Sequence, residues 1–263
     1  MPADAPTRSP GPLLGASDPA AVEVVNADRP PTVVLVCEHA GRALPAALGT
    51  LGLDALDLAD HIAWDIGAAT VARSMARRLD APLVLQAYSR LVIDCNRPLD
   101  APDSIPPVSD GRVIPGNAEL TAATRAARAR EVFVPYQDAV AAQLDRPGCR
   151  AAFSIHSFTP VMAGVRRPWD AGLLFRDDTR TSSSLARVLR LHAPELHIGL
   201  NQPYTIDART DWFVPCQAEP RGLAHSLIEI RNDHLRAEDG CERWARRLAD
   251  AITSVMEEME RCN

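Results

Sequence analysis

Short apolar segments alternate with longer amphipathic ones along most of this sequence, and this alternation narrows the folds that the chain can adopt. Short runs rich in Val, Ile and Leu are typical of buried strands. They predict strands at 32–37, 82–88, 91–95, 151–156, 171–175, 196–200 and 225–231. The longer segments predict helices at 62–79, 119–144, 181–192 and 238–260, with Pro135 bending the second one. The pattern favours an α/β fold, a three-layer α/β/α domain with a mixed, largely parallel sheet.

The length and composition fit a single domain. The chain has 263 residues, of which 46% are hydrophobic, and this is enough for one sizeable core. No internal repeat and no shift in composition marks a second domain. Residues 1–20 are rich in Pro, Gly, Ala and Ser, and we interpret them as a mobile lead-in to one domain over residues 21–263.

Charge, cysteine content and missing motifs argue against several classes of protein. A net charge of −6 and a pI near 5.6 argue against a nucleic-acid partner. No apolar run approaches the roughly 18 residues that a membrane span needs. The six cysteines form no CxxC pair and the N-terminus is unlike a secretory signal, so we expect a reduced, cytoplasmic protein. GxSxG, GxGxxG, HExxH and Walker A motifs are absent. The oligomeric state stays open.

Two histidines stand where predicted strands end, and one carboxylate stands inside a third strand. His39 follows the strand at 32–37, and His156 ends the strand at 151–156. Ligands bind at the carboxyl ends of strands in open α/β sheets, so these side chains are expected to converge. Glu229 interrupts an apolar strand, where an unpartnered charge is costly. We predict a zinc site that uses His39 and His156, with Glu229 as general base; other divalent ions accept the same ligands.

A third metal ligand is expected near the start of the helix at 62–79. Asp60, His61 and Asp65 all lie there. Asp60 also suits the N-cap of a helix, a structural role. Asp65 lies between two apolar residues on a helix expected to be mostly buried, which a capping role does not explain. We therefore predict Asp65 as the ligand, with His61 as the reserve.

Arginines form a second group of candidates. Arg90 and Arg97 stand at the two ends of the predicted strand 91–95, and guanidinium groups bind carboxylates in a bidentate manner. A structural salt bridge is the alternative, for instance between Arg97 and Asp94 or Asp100. Arg166 and the arginine after it follow the His156 segment and either face an acidic substrate or are solvated.

Several segments together resemble motifs of the N-formylglutamate amidohydrolase family. The sequence CEHAG at 37–41 resembles the family's PHSG opening, and residues 89–98 resemble its SR…D.NRP signature. Residues 154–158 are similar to its D.HSF segment, with Ser154 at a position where an acid is common. The segment NQPY at 201–204 resembles a further family element. The resemblance spans about residues 32 to 235.

This resemblance implies hydrolysis of the formyl amide of a small, acidic N-acyl amino acid such as N-formylglutamate. The family's distant relationship to the zinc carboxypeptidases implies a mixed eight-stranded sheet and places His39 and His156 on metal-ligand positions. Arg42 stands where the carboxypeptidase pattern has a glutamate ligand, so the resemblance implies a later acid, Asp65, as its replacement.

The same relationship implies roles for the remaining candidates. It places Glu229 as the base that activates a zinc-bound water, Asn96 and Arg97 on the substrate carboxylate, and Arg90 on the carbonyl that is cleaved. We add Arg166 and Tyr204 to the predicted substrate-binding residues. Two alternatives stay open: a carboxypeptidase or amidase acting on a peptide or cell-wall fragment, and a non-catalytic binding or regulatory protein that retains the fold.

Overall fold

A seven-stranded sheet forms the centre of the molecule in the computed structural model, which describes residues 11–261. In chain order its strands are β1 (Val22–Val25), β2 (Val33–Cys37), β3 (Leu83–Gln86), β4 (Ala151–Phe158), β5 (Ala171–Leu174), β6 (Ile198–Leu200) and β7 (Ala224–Arg231). Across the sheet the order is β1-β3-β2-β4-β7-β5-β6. Two short hairpins, Val108–Ser109 with Arg112–Val113 and Val161–Met162 with Val165–Arg166, lie outside this sheet.

The strand directions confirm the predicted mixed, largely parallel sheet. The central strands β3, β2, β4 and β7 run parallel to one another. β1 is antiparallel to β3, β5 is antiparallel to β7, and β6 is parallel to β5. The main sheet has seven strands among the described residues, one fewer than the carboxypeptidase relationship implies.

Helices cover both faces of the sheet, as the three-layer prediction requires. Alternate residues of β2 enter two different cores: Val33 and Leu35 pack on one face, and Val34 and Val36 on the other. The helices are α1 (Ala55–Ala59), α2 (Ala68–Leu79), α3 (Ala122–Arg128), α4 (Val134–Leu144), α5 (Thr179–His192) and α6 (Glu238–Arg261). The first core is covered by α2, α5 and α6, and the second mainly by α4. None of the helices in residues 11–261 combines the length and hydropathy of a membrane span.

The predicted strand at 91–95 is wrong, because this segment is a buried loop. The Val92 amide bonds to the Ser89 carbonyl and the Asp94 amide to the Ser104 carbonyl, so no ladder with a neighbouring strand forms. Val92 and Ile93 are buried because they pack into the second core. A loop that closes one end of a sheet therefore has the same apolar composition as a strand.

The helix predicted at 62–79 begins only at Ala68. Gly67 ends the preceding turn with φ +82°, and a Cβ there would lie 2.4 Å from the Leu235 Cβ, so both conformation and space call for glycine. Asp65 consequently lies in the loop before α2 and not on a helix. The predicted helix at 119–144 comprises α3, a π-helical turn at Ala129–Phe133 and α4, whose first turn accommodates Pro135.

A buried arginine holds the loop between β3 and α3. Arg128 is fully buried, and it donates to the Val92 carbonyl at 2.9 Å and to the Asn117 side chain at 2.7 Å. Burial lowers the pKa of Arg128 to about 10. The charge is thus distributed over neutral acceptors of this loop, which also carries Asn96 and Arg97.

Residues 11–20, which we predicted as part of a mobile lead-in, pack against the domain. Leu13 is buried, and the Leu14 amide donates to Glu131 Oε2 at 2.9 Å. The Tyr88 hydroxyl donates to the Pro19 carbonyl at 2.6 Å. Residues 1–10 of the predicted lead-in lie outside the described part of the chain.

Candidate active site

A cavity of about 540 Å³ opens at the carboxyl ends of β2, β4 and β7. His39 follows β2 by two residues, whereas His156 and Glu229 lie within β4 and β7. All three side chains line the cavity although they are far apart in sequence. The other charged or titratable side chains in its wall are His61, Asp65, Arg90, Arg97, Asp110, Tyr204 and Asp211.

Three of the predicted residues meet at the base of this cavity. His39, Asp65 and His156 are buried, and each offers one ligand atom such that the three atoms lie within 4.8 Å of one another. Asp65 Oδ2 lies 2.8 Å from His156 Nδ1 and 3.4 Å from His39 Nδ1. Two imidazole nitrogens and a carboxylate oxygen form a donor set that suits zinc and other divalent ions, so the residues present fit a metal.

The backbone around Asp65 explains how a loop residue reaches this point. The Asp65 amide donates to the His39 carbonyl at 3.0 Å, and the Ser157 amide donates to Asp65 Oδ2 at 3.1 Å. Gly41 lets the chain after β2 pass close to β3, since a Cβ there would lie 2.0 Å from the Ala87 carbonyl oxygen. Asp65 is therefore held between the segments that carry His39 and His156.

Each histidine also has a carboxylate at its other ring nitrogen. His39 Nε2 lies 2.7 Å from Asp94 Oδ1, and His156 Nε2 lies 3.0 Å from Glu38 Oε2. The second contact has the distance of an ion pair but not the direction of a linear hydrogen bond. Carboxylates at this position orient a metal-binding imidazole and fix which nitrogen carries the proton.

The buried carboxylates differ in protonation because their partners differ. Burial raises the pKa of Asp65, but His39 and His156 overcome this and hold it far below its usual range. The pKa of Asp94 is likewise held well below its usual value, because Arg90 and His39 outweigh its burial. Both groups are therefore ionised at neutral pH.

Glu229 has the opposite character. It is 7% exposed, and its Oε2 has no hydrogen-bond partner among the described residues. Burial raises its pKa from 4.5 to about 7, partly offset by the charge of His156. A carboxylate that titrates near neutral pH suits proton transfer, because it both accepts and releases a proton there.

Arg90 lies against two of the ionised carboxylates. Its Nη2 is 2.6 Å from Asp94 Oδ2, and its Nη1 is 3.5 Å from Asp65 Oδ1. Burial lowers its pKa, but these carboxylates more than compensate and raise it above the usual value. Its side chain is 27% exposed and lines the cavity, so a fixed positive charge faces the space beside the candidate metal ligands.

Asn96 and Arg97 lie in the buried loop and not at a strand end. Asn96 Oδ1 accepts from the Phe213 amide at 2.9 Å, and its Nδ2 makes no hydrogen bond among residues 11–261. Arg97 donates to the Thr210 carbonyl, and its Nε lies 3.4 Å from Asp103 Oδ2. Arg97 thus forms a salt bridge with Asp103 and not with Asp94 or Asp100, the partners considered from the sequence, and it still lines the cavity.

The remaining candidates separate into two groups. Tyr204 lines the cavity and accepts a hydrogen bond from Arg167 Nη1 at 2.8 Å. Arg166 is exposed on a hairpin and does not line the cavity. Arg167 does not line it either, but it reaches the cavity wall through its hydrogen bond to Tyr204. His61 also lines the cavity but contacts Asp60 at 3.1 Å and lies outside the three-residue cluster.

Asp60, which we considered as an N-cap, is instead the C-cap residue of α1, and it forms a salt bridge with Arg112 at 2.7 Å. Burial raises the pKa of Asp60, but the contacts with Arg112 and His61 outweigh this effect and lower it to about 2.

Sequence reasoning assigned no role to Glu38, Asp94 and Ser157, which all contact the three-residue cluster. Glu38 and Ser157 are neighbours of the two histidines in sequence, and Asp94 lies within residues 89–98, so these positions were the available signals. Which of these side chains faces a histidine ring nitrogen depends on the conformation of the loops, and the hydrophobic periodicity of the sequence does not predict that conformation.

The sheet, the cavity and the buried histidine–carboxylate cluster together define an α/β protein with a candidate metal site. Residues 32–236 match the family model described as N-formylglutamate amidohydrolase. The match covers most of the chain, so the chain belongs to this family and is an enzyme that hydrolyses an amide. The resemblance seen in its motifs is thereby confirmed.

Two solved structures show the same fold over nearly the whole chain. The gene product Atu2144 from Agrobacterium tumefaciens is 36% identical, with a TM-score of 0.89 over 94% of this chain and 99% of that one. N-formylglutamate amidohydrolase from Ralstonia eutropha JMP134 is 19% identical, with a TM-score of 0.65 over 93% of this chain and 100% of that one. No curated protein matches the sequence.

Proposed function

We propose that this enzyme is a metal-dependent hydrolase of a linear amide in a small, acidic N-acyl amino acid, with N-formylglutamate as the first candidate substrate. One observation carries the proposal: His39, Asp65 and His156 converge beside the unpartnered carboxylate of Glu229 in one cavity. The family of the chain and the name of the Ralstonia protein support the choice of substrate.

His39, Asp65 and His156 are the residues that would hold the metal. A divalent cation bound there would supply Lewis acidity, which polarises an amide carbonyl and lowers the pKa of a water. The buried setting strengthens such electrostatic effects, because little solvent screens them.

The chain's own residues account for the proton and charge movements. Glu229 accepts the proton of the attacking water and passes it to the leaving nitrogen. Arg90, fixed between Asp65 and Asp94, donates hydrogen bonds to the carbonyl oxygen as negative charge develops on it. Because Arg90 is already ion-paired, it needs no rearrangement to do this.

A carboxylate on the substrate would bind at the part of the cavity wall that carries Asn96 and Arg97. Arg97 and the free amide nitrogen of Asn96 supply donors there, and Tyr204 with Arg167 supplies a further polar group. A guanidinium and an amide together hold a carboxylate in one orientation. This orientation would place the N-acyl group towards the histidines.

A substrate screen with metal analysis tests the proposal. Protein purified without chelator should contain about one zinc per chain and release formate from N-formyl-L-glutamate. Chelation should abolish turnover, and added zinc should restore it. N-acetylglutamate and N-formylleucine, assayed in parallel, test the acyl group and the acidic side chain separately. Cleavage of peptide or muropeptide substrates instead would favour the amidase alternative, and absence of both metal and turnover would contradict the proposal.

A further inference from the structure

Glu38 is a buried carboxylate to which the proposed reaction assigns no step. It is 2% exposed and directly precedes His39 in sequence, yet its side chain contacts the other histidine. Its Oε2 lies 3.0 Å from His156 Nε2 and accepts a hydrogen bond from the Ser154 hydroxyl at 2.7 Å. These are its polar side-chain contacts among the described residues.

The sheet register explains why Glu38 reaches His156 and not His39. β2 and β4 are parallel neighbours, with Val36 opposite Ser154. Two residues further along both chains come Glu38 and His156, which brings them level with each other. Ser154 and His156 stand two apart on one strand and so share a face of the sheet.

The contact between Glu38 and His156 bears on which ring nitrogen of His156 carries the proton. His156 Nδ1 faces Asp65 and the candidate metal position, so this nitrogen must keep a free lone pair to bind an ion. The single proton of the neutral ring then has to reside on Nε2, the nitrogen that faces Glu38. An anion there fixes that tautomer and makes Nδ1 a stronger donor.

Glu38 also differs from Asp94, the carboxylate behind His39. Asp94 is neutralised by Arg90 at 2.6 Å, whereas no Lys or Arg in residues 11–261 forms a salt bridge with Glu38. Within residues 11–261, the polar groups that the Glu38 carboxylate contacts are therefore the His156 ring and the Ser154 hydroxyl. The geometry points to Glu38 as the positioning residue for His156, which sets the tautomer and the metal affinity of that ligand.

This inference rests on the proposed metal site, and zinc affinity tests it without an assay of turnover. Glu38→Gln keeps the shape and removes the charge. Competition with a chromophoric chelator should show about 10- to 100-fold weaker zinc binding, with the thermal midpoint of the metal-free protein nearly unchanged. Glu195→Gln is the matched control, because Glu195 pairs with Arg247 on the surface and should bind zinc as the wild type does.

A relocated carboxylate separates positioning from packing. Since the Ser154 hydroxyl lies 2.7 Å from the Glu38 carboxylate, an aspartate at position 154 reaches the place that Glu38→Ala vacates. The double variant Glu38→Ala/Ser154→Asp should regain most of the affinity that Glu38→Ala loses. A purely structural role for Glu38 predicts no such recovery.

The outcomes distinguish the two proposals. Wild-type protein that binds no zinc contradicts the proposed metal site and this inference together. If the wild type binds zinc and the affinity of Glu38→Gln for zinc is within about threefold of the wild-type affinity, the role of Glu38 alone is overturned.

Discussion

Glu229 lies directly opposite His156 across the parallel strands β7 and β4. The register thus places Glu229, whose Oε2 has no hydrogen-bond partner within residues 11–261, next to a histidine whose Nδ1 faces Asp65. Neither strand needs a bulge or a turn to achieve this, because the sheet itself fixes the spacing between them. The relative position of the proposed base and the proposed metal ligand is therefore as rigid as the centre of the sheet.

Replacing Glu229 should separate catalysis from metal binding. Glu229→Gln removes the proton acceptor while keeping the side-chain volume, so we expect kcat to fall by about 10²- to 10⁴-fold with zinc content unchanged. Elemental analysis and formate release measure the two effects. Loss of the metal in this variant would contradict the role of general base, and Glu195→Gln serves as an exposed control.

The raised pKa of Glu229 predicts a pH-dependent stability of the metal-free protein. The folded state holds the proton up to about pH 7, whereas the unfolded chain releases it near 4.5. The wild type therefore loses stability relative to Glu229→Gln as the pH rises from about 4.5 to 7. Above about pH 7 this loss in the free energy of unfolding amounts to about 3 kcal/mol, because a change of one in a pKa corresponds to about 1.4 kcal/mol.

Urea unfolding of both chelated proteins at pH 5 and pH 8 measures this difference. Comparing the two variants at each pH cancels the contributions of Asp65 and Asp94, which have the opposite sign. A difference that stays constant with pH would show that Glu229 is not protonated in the folded state.

Arg90 should not be replaceable by lysine. A guanidinium contacts Asp65 and Asp94 with two different nitrogens, and a single ammonium does not span both. We expect Arg90→Lys to lower kcat by about 10²- to 10³-fold, the usual cost of losing an oxyanion donor. Steady-state kinetics at saturating zinc check this, and a kcat close to that of the wild type would remove Arg90 from the mechanism.

Gly172 should matter although it has no side chain. It lies opposite Glu229 on the neighbouring strand β5, and a Cβ there would come within 1.8 Å of the Gln202 carbonyl oxygen. Gly172→Ala must displace the segment that carries Tyr204, so we expect a higher KM and a destabilised fold. Gly15→Ala is the control, because a Cβ at this exposed position has room and should change neither KM nor stability. Gly148→Ala does not serve as a control, because the positive φ of Gly148 would itself strain an alanine.

Arg128 should hold in place the loop that carries the proposed substrate-binding residues Asn96 and Arg97. Arg128→Met removes the donors to Val92 and Asn117 and leaves those buried acceptors unpaired, which costs about 1–3 kcal/mol per group. We expect a lower thermal midpoint and a higher KM from the loosened Asn96–Arg97 segment. An unchanged KM in a folded variant would show that the loop is held by other contacts.

Much of the fold could be predicted because it follows from hydrophobic patterning. β2, β4 and β7 appear in the sequence as short apolar runs, and the convergence of His39, His156 and Glu229 follows once these strands are taken as parallel neighbours. The strand predicted at 91–95 was wrong because its prediction rested on the same apolar composition that correctly identified the other strands. Burial alone selects its apolar residues, and burial does not distinguish a strand from a loop packed on a core.

Side-chain partnerships were beyond the reach of sequence reasoning. Asp65 was the expected ligand, yet it was expected on a helix, and only the loop before α2 brings it between the two histidines. Glu38 lies next to His39 in sequence but contacts His156, because a strand sends successive side chains to opposite faces. Such cross-strand pairs depend on register, which composition does not encode.

The parallel order of β2, β4 and β7 also has a consequence for how the protein folds. The candidate ligands lie at positions 39, 65 and 156, so no short stretch of the chain contains a preformed site. An ion that binds only after distant strands have paired has little affinity for the unfolded chain. It therefore stabilises the native state by a free energy that rises with the logarithm of its concentration once this exceeds the dissociation constant. Metal binding would thus report on the completion of the central sheet, and zinc-dependent protection of its amides from hydrogen exchange would follow.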